Sequence, residues 1–422
     1  MTNELAIRGG SPVRGTILPF VPERADIGDE EVNAALEVLR TKRLSQLVGE
    51  EVSRFEEAFS KYYGVKHAVA VTSGTSALHL ALAAAQLGPG EDVILPPYTF
   101  MATANAVLHQ GLVPLFADVN PQTYNLDPNE VERRVTEKTK AVIPVHMLGQ
   151  PADMQPILKV ARQHGLMVIE DCAQANGAEY KGKKVGAFGD IGCFSFYLNK
   201  HITTGGEGGM LITNDEELAE RARSIANHCR VHVSPYPSVP AHNVYWGIGY
   251  NYRMTQIQAA IGRIQLRKLD TFIAKRRKNA EYFTKRIREI PGLRPPYVDP
   301  NVRHVYWAYG AVIVPEILGA SRDSFAKALL AEGIKAEGYC PIPVHLQEVM
   351  RNKVGYGKTS FPFDNPLYGR AVSYQRGLCP AAEELSQQDL LLPVYQTLTD
   401  RDLDDVVAAL EKVARNASSL ET

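Results

Sequence analysis

The chain has 422 residues, and its 46 basic and 47 acidic side chains leave a formal net charge of −1. Hydrophobic residues make up 45% and charged residues 22%, which excludes a disordered or collagen-like chain. Nucleic acids and membrane surfaces both select a clustered basic excess, so this balance predicts neither as a partner. A length of this size predicts two or three domains.

The five cysteines form no CxxC pair, whereas disulfide frameworks and structural zinc sites need closer pairing. We therefore predict no metal site and a reducing compartment. The N-terminus has no apolar segment typical of a secretory signal. Two long uncharged stretches, 68–90 and 93–117, carry too many polar and proline residues to cross a bilayer. Together these features predict a cytoplasmic chain.

Short apolar runs alternate with longer amphipathic ones between residues 67 and 215. The runs predicted as strands are 67–72, 92–97, 113–119, 141–147, 166–172, 192–197 and 209–214. The segments predicted as helices between them are 75–88, 102–111, 129–135 and 154–165. This alternation predicts an α/β fold with a mostly parallel sheet and helices on both faces. The close spacing of the last two strands predicts one antiparallel member.

Beyond this region we predict a helix at 215–228 and a proline-rich loop at 231–242. Residues 255–287 are predicted to be helical, in more than one helix, and to lead out of the first domain. Short strands and helices follow, and 346–378 is predicted to be an extended surface insertion. The predicted division of the chain is an N-terminal arm (1–30), a large domain (31–265) and a smaller C-terminal α/β domain (266–422).

Three chemical features occur in order along the predicted large domain. Small and hydroxyl residues at 72–76 open a predicted helix, where backbone amides can bind a phosphate or a hydroxyl can simply cap the turn. Asp171 ends an apolar strand, the edge at which α/β sheets bind ligands, although a paired or capping carboxylate fits as well. Lys200 follows the strand 192–197, where burial can turn a lysine into an imine-forming amine, although alone it reads more simply as a solvated loop residue.

A phosphate-binding turn, an acid and a lysine in this order favour an enzyme that uses pyridoxal phosphate. Such an enzyme needs a lysine to hold the cofactor as a Schiff base and a carboxylate to keep the pyridine nitrogen protonated. It also needs amides and hydroxyls to bind the phosphate. One cofactor therefore explains three features that are each ordinary when taken alone.

The sequence resembles the DegT/DnrJ/EryC1/StrS aminotransferases, fold-type I enzymes that aminate keto sugars and cyclitols. The blocks that carry the resemblance are TSGTSALHLAL (72–82), PPYTFMATANAV (96–107), EDCAQANGA (170–178), GDIGCFSFYLNKHITTGGEGG (189–209) and GYNYRMTQIQAA (249–260). The resemblance implies a large domain that binds pyridoxal 5′-phosphate on a mostly parallel mixed sheet, and a smaller C-terminal α/β domain. It also implies a homodimer with shared active sites.

The resemblance implies a role for each matching residue. Lys200 would hold the cofactor and move a proton between the substrate's α-carbon and the cofactor's C4′. Asp171 would pair with the pyridinium nitrogen, Gln174 would bond to the phenolic oxygen, and Phe100 would stack on the ring. Four further residues would bind the phosphate: Gly74 and Thr75 through their amides, Ser195 through its hydroxyl and, in the neighbouring subunit's site, Asn251.

The sequence departs from common members of that family in three places. Gly205-Gly206 has one residue more than the usual TTGEGG run, and Trp307 stands where many members carry histidine. The insertion at 346–378 is longer than in the simplest members, so substrate contacts from that side are not carried over.

Two alternatives remain beside an aminotransferase. A sugar 3-dehydratase of the same fold would replace the Schiff-base lysine with histidine, and here Lys200 directly precedes His201. A catalytically silent regulatory homologue would be expected to have lost part of the cofactor-binding set.

We predict an aminotransferase that takes its amino group from glutamate or glutamine. The predicted acceptor is a keto sugar, nucleotide-linked or free, or a keto-cyclitol, and the opening GGSPVR (9–14) leans toward the cyclitol branch.

Overall fold

The structure is a computed structural model that describes residues 4–231, 238 and 240–420. The first three residues of the predicted arm and most of the predicted loop at 231–242 lie outside the described residues. Within the described ranges, every helix is too short or too polar to pass through a bilayer.

The described residues form short strands and longer helices that alternate through the first half of the chain. The strands are β1 (His67–Val71), β2 (Asp92–Leu95), β3 (Val113–Phe116), β4 (Thr139–Val142), β5 (Met167–Asp171), β6 (Glu179–Tyr180), β7 (Lys183–Lys184), β8 (Ile191–Ser195), β9 (Gly209–Thr213), β10 (Leu293–Arg294), β11 (Val302–Arg303), β12 (Tyr309–Ile313) and β13 (Asp389–Leu392). The helices are α1 (Asp29–Thr41), α2 (Glu51–Tyr63), α3 (Gly74–Ala84), α4 (Met101–His109), α5 (Pro128–Arg134), α6 (Met154–His164), α7 (Glu216–Ile225), α8 (Gln256–Ile287), α9 (Pro315–Leu318), α10 (Arg322–Ala331), α11 (Glu348–Arg351), α12 (Pro380–Gln388) and α13 (Asp400–Arg415).

The main sheet has seven strands in the order β1-β9-β8-β5-β4-β2-β3. The neighbours from β8 to β3 pair in parallel, whereas β9 runs antiparallel to both β1 and β8. The prediction of a mostly parallel sheet with one antiparallel strand is confirmed. Every residue of β8 and β9 is buried, as expected for strands that are covered on both faces.

The two faces of this sheet pack into two separate hydrophobic clusters. Val69 and Val71 of β1 belong to one cluster, and Ala68 and Ala70 of the same strand belong to the other. This division follows from the strand period of two, which points successive side chains to opposite faces. Helix α3 packs in the first cluster and α2 in the second, so helices cover both faces as predicted.

Helix α8 is one continuous helix of 32 residues, so the prediction of more than one helix is wrong. Its first half packs against α1 and α2. Its second half contributes Ala280, Phe283 and Ile287 to a third hydrophobic cluster, together with the antiparallel sheet β10-β12-β13. Residues of α8 up to Ile273 pack in the second cluster and those from Ala280 onward in the third, so one continuous helix runs through both clusters.

The segment 346–378 contains only a short helix, yet part of it is buried against the main sheet. Tyr368 donates its hydroxyl to Asp92 Oδ2 at 3.0 Å, and Tyr374 donates to the carbonyl oxygen of Pro114 at 2.8 Å. Phe363 is buried in the same hydrophobic cluster as these tyrosines. The segment was expected as a surface insertion. Many of its residues are exposed, and its aromatic side chains also pack it over the edge of the sheet formed by β2 and β3.

Candidate active site

A cavity of about 470 Å³ lies where the carboxyl ends of β5 and β8 meet the N-terminus of α3. This edge is where α/β sheets usually bind ligands. The cavity is lined by seven of the residues predicted from the sequence: Gly74, Thr75, Phe100, Asp171, Gln174, Ser195 and Lys200. The fold therefore brings together residues that are up to 126 positions apart along the chain, from Gly74 to Lys200.

The N-terminus of α3 forms one end of the cavity. Ser73 caps the helix by accepting a hydrogen bond from the Ser76 amide at 3.1 Å. The amides of Gly74 and Thr75 precede this bond, and the first amides of a helix have no acceptor within the helix. Both residues line the cavity beside Ser195. These amides and the Ser195 hydroxyl suit an anionic phosphate, which a helix N-terminus also favours electrostatically.

The fit around Gly74 leads to a testable prediction. A Cβ atom at Gly74 would lie 2.7 Å from Ser195 Cβ, which is too close without a shift of the backbone. We expect Gly74→Ala to weaken pyridoxal phosphate binding by about tenfold or more, since it displaces several charge-assisted hydrogen bonds. The measurement is a titration of the apo-protein with the cofactor. Gly88→Ala is the matched control because a Cβ there meets no atom of the described residues within 4 Å. Equal affinities for the two variants would contradict the prediction.

Asp171 lies at the end of β5, is 5% exposed, and has a donor on each carboxylate oxygen. Thr103 donates its hydroxyl to Oδ2 at 2.9 Å, and the amide of Ala173 donates to Oδ1 at 3.1 Å. Burial raises the pKa of Asp171, while these hydrogen bonds and the charge of Lys200 act in the opposite direction. The carboxylate is therefore held in one orientation, and it still has lone pairs that can accept a hydrogen bond from a protonated ring nitrogen. No local sequence pattern marks Thr103, which only its position in α4 brings to Asp171.

Gln174 is held by both ends of its amide. Its Oε1 accepts from the backbone amide of Leu148 at 2.8 Å, and its Nε2 donates to the Tyr339 hydroxyl at 2.6 Å. An amide nitrogen has two hydrogens, so one N–H remains for a further acceptor. Tyr339 also lines the cavity. Tyr339 was not predicted as a site residue because it lies in the C-terminal region, more than 160 residues from Gln174.

Lys200 reaches the cavity from the loop after β8. Burial lowers the pKa of its amine to about 8, although the charge of Asp171 acts to raise it. Its Nζ lies 4.6 Å from the centre of the Trp307 ring. A lysine whose pKa is near neutrality can act both as a nucleophile and as a proton carrier.

The loop that follows Lys200 accommodates the additional glycine. Gly205 has φ 89° and Gly206 has φ 117°, so both adopt backbone conformations that favour glycine. The Gly206 amide donates to Thr203 Oγ1 at 3.0 Å, and its carbonyl accepts from the Leu198 amide at 3.0 Å. The longer run is thus closed by hydrogen bonds onto the segment that carries Lys200.

Phe100 and Asn251 are both exposed, unlike the buried residues predicted for the site. Phe100 directly precedes α4 and is 66% exposed at the cavity, which leaves a ring face free for stacking. Asn251 is exposed and pairs through its backbone with Asn227, outside the set of described residues that line this cavity. Within one chain, the structure therefore does not bring Asn251 to the other predicted residues.

His146, Glu170 and Cys172 form a buried group whose ligand atoms lie within 4.8 Å of one another. His146 Nε2 is 3.0 Å from Glu170 Oε2, and Glu170 also accepts from the amides of Gly186 and Phe188 at 2.7 Å each. These hydrogen bonds already occupy the histidine and the carboxylate. The group therefore ties β5 to the loop before β8.

A fold-type I architecture with these residues in one cavity defines a class of enzymes that depend on pyridoxal phosphate. The chain belongs to the DegT/DnrJ/EryC1/StrS aminotransferase family, whose model matches residues 25–373. The enzymes of this family are pyridoxal phosphate-dependent aminotransferases, and this chain is one of them.

Three similar proteins show the range of the family. GDP-perosamine synthase of Caulobacter vibrioides is 40% identical over 91% of this chain and 95% of its own length. A putative L-glutamine:3-amino-2,3-dideoxy-scyllo-inosose aminotransferase of Streptoalloteichus tenebrarius is 35% identical over 100% of both chains. The solved structure of NtdA from Bacillus subtilis with its cofactor PMP is 30% identical, with a TM-score of 0.79, over 95% of this chain and 86% of that chain. The proteins to which this chain is similar thus include both sugar and cyclitol aminotransferases.

Proposed function

We propose that this enzyme transfers an amino group from glutamate or glutamine to the ketone of a nucleotide-linked sugar. The observation that carries the proposal is a single cavity that holds Lys200, Asp171 and the N-terminus of α3. These groups match the three chemical needs of pyridoxal phosphate, which are an amine, a carboxylate and a phosphate site.

The residues around the cavity fit this cofactor. The Gly74 and Thr75 amides with the Ser195 hydroxyl would hold its phosphate, and Asp171 would accept from the protonated ring nitrogen. The remaining N–H of Gln174 would bond to the phenolic oxygen. The small residue at Gly74 supports this assignment, because any side chain there would fill the space next to Ser195.

When bound, the cofactor supplies an electron sink that stabilises negative charge at the substrate's α-carbon. Lys200 Nζ would take the proton from that carbon and later release it to the other reacting carbon. Its pKa of about 8 suits both directions of this transfer, since a general base works best with a pKa near the working pH. Asp171 would keep its negative charge opposite the ring nitrogen throughout.

The structure also bears on the dehydratase alternative. His201 is buried, and its Nε2 lies 3.1 Å from the carbonyl oxygen of Val305, so this histidine is used inside the fold. Lys200, in contrast, lines the cavity. An amine in this position supports transamination over dehydration.

The proposal of a sugar as the acceptor is based on the sequence identities to the similar proteins. GDP-perosamine synthase, named for a nucleotide-linked sugar, is 40% identical to this chain, whereas the scyllo-inosose aminotransferase is 35% identical. These values favour a nucleotide-linked keto sugar. They weigh against the cyclitol branch suggested by the opening GGSPVR.

One experiment tests both donor and acceptor. The purified holoenzyme should show a cofactor band near the visible edge that bleaches with glutamate or glutamine. The bleached enzyme is then mixed with GDP-, UDP- and dTDP-linked keto sugars and with keto-inositols. Recovery of the band with a nucleotide-linked sugar supports the proposal. Recovery with keto-inositols alone would assign the cyclitol branch, and the absence of bleaching with either donor would refute both donor assignments.

We further propose that the partner in solution is a second copy of this chain. Val32, Leu36 and Leu39 are exposed at positions i, i+4 and i+7 of α1, and they form an apolar stripe. Leu44 and Leu47 of the following loop are exposed as well. Such a surface supports an interface between copies, across which Asn251 would reach the phosphate bound by the other subunit.

Subunit mixing gives a sharp prediction for this arrangement. Lys200→Ala and Asn251→Ala each damage every site of their own homodimer. In a mixed dimer, one site combines the intact Lys200 of one chain with the intact Asn251 of the other. We expect an equimolar mixture, unfolded and refolded together, to recover about a quarter of wild-type activity at limiting cofactor. If Asn251 serves its own chain's site, the mixture will stay as inactive as its components.

A further inference from the structure

Trp307 contacts the segment Asn199-Lys200 in two ways. Its ring lies 4.6 Å from Lys200 Nζ, and its indole N–H donates to the carbonyl oxygen of Asn199 at 3.0 Å. Asn199 immediately precedes Lys200, so the indole binds the backbone and faces the side chain of the same segment. Trp307 is buried to 5% exposure and still lines the cavity.

The backbone of Trp307 is held from both sides. Its amide donates to the carbonyl oxygen of Leu148 at 2.9 Å, and the Leu148 amide in turn donates to Gln174 Oε1. Leu148 has φ 54° and Tyr306 has φ 49°, which are conformations that side-chain-bearing residues seldom adopt. Such residues persist only where the surroundings impose them, and they cluster at functional sites.

A buried arginine completes this support. Arg276 Nη1 donates to the carbonyl oxygens of Tyr306 and Trp307 at 3.1 Å each, and Nε donates to Gln396 Oε1 at 2.9 Å. Arg276 is 0% exposed, and its hydrogen bonds within the described residues go to neutral oxygens. Burial lowers the pKa of its guanidinium to about 9. A buried cation is costly unless its donors are paired, and two of the hydrogen bonds of Arg276 hold the carbonyl groups of Tyr306 and Trp307 in place.

We propose that Trp307 is a positioning residue for Lys200 and holds its amine against the indole face whenever that amine is not bonded to the cofactor. This inference rests on the proposed role of Lys200. As Nζ takes a proton from the substrate's α-carbon, it becomes an ammonium group at a position where burial disfavours the charge. The negative face of an indole attracts an ammonium group, and the ring also limits the directions in which the lysine side chain can turn.

The kinetic test uses three holoenzymes: wild type, Trp307→Phe and Trp307→Leu. Bleaching of the cofactor band is followed in a single turnover at saturating amino donor. We expect Trp307→Leu to slow this step by about 3- to 30-fold, the range that loss of a cation–π contact implies. Trp307→Phe, which keeps a ring, should recover most of the rate. The donor concentration for half-saturation should change little, because the indole acts on Lys200 and not on the donor.

Tyr309→Phe is the matched control, since Tyr309 lies two residues away and packs in the third hydrophobic cluster. It should react at the wild-type rate. If the wild type forms no cofactor band, the proposed function itself fails. If the wild type reacts but Trp307→Leu is just as fast, only this inference is overturned.

Fluorescence tests the contact without reference to activity. The chain has two tryptophans, so a Trp246→Phe variant reports on Trp307 alone. We expect pyridoxal phosphate to quench this emission strongly, and we expect the further change Lys200→Met to alter it in the apo-protein. Emission that responds to neither change would overturn the proposal, even if the kinetic variants are slow.

Discussion

Replacing Lys200 with alanine is expected to lower repeated turnover by about 100- to 10,000-fold, the range associated with loss of a positioned proton-transfer group. The loss combines two effects, because the same amine would hold the cofactor and carry the proton. The variant should still bind pyridoxal phosphate, since the N-terminus of α3, Ser195 and Asp171 remain. Turnover is measured as the keto acid formed per enzyme in the presence of donor and acceptor.

Two comparisons make this result specific. Lys327→Ala changes an exposed lysine of α10 and should be as active as the wild type. Adding a small primary amine such as methylamine to Lys200→Ala should restore part of the rate, because a free amine can take over proton transfer in the vacated space. A Lys200→Ala enzyme that turns over at the wild-type rate would refute the assignment of Lys200.

Asp171→Asn is expected to reduce the half-reaction with the amino donor by about 100- to 1,000-fold, the usual effect of removing one preorganised electrostatic contact. The neutral amide is nearly the same size as the carboxylate, so the hydrogen bond from Thr103 can be kept in part. The cofactor's ring nitrogen would lose its negative partner and with it the proton that makes the ring an electron sink. The measurement is the single-turnover bleaching rate, together with the shift of the cofactor band.

Asp118→Asn is the matched control for a buried carboxylate. Asp118 accepts from the amides of Ala381 and Ala382 at the start of α12 and has no place in the cavity. Its replacement should lower stability more than it lowers the bleaching rate. If both variants lose rate in proportion to stability, Asp171 would be structural and not the partner of the ring nitrogen.

The main sheet was predictable because its signals are local. Apolar runs such as HAVAVT (67–72) and LMVIEDC (166–172) are too short for helices and too continuous for exposed strands. The structure places β1 and β5 within them. Helix α8 was predicted as several helices because nothing local shows that its two halves pack into different clusters.

The residues around the cavity also divide into those that local sequence signals predict and those that they do not. The group from Gly74 to Lys200 lies at or just after the ends of β1, β2, β5 and β8, so chain order and residue type were enough to suggest a shared cavity. Thr103, Tyr339 and Arg276 were missed because each acts through a partner far away in sequence. Trp307 was noticed only as a departure from histidine, and its contact with Lys200 needed the structure.

The sequence by itself determined the fold class, the order of the chemical groups and the dependence on pyridoxal phosphate, because these follow from periodicity and from motifs in which neighbouring residues act together. Only the tertiary structure decided how the groups are supported. A buried arginine and two residues of positive φ hold Trp307 against Lys200, and the aromatic segment 346–378 covers the sheet edge. Such contacts form between segments that are far apart in the sequence and come together only on folding, so no local pattern of residues predicts them.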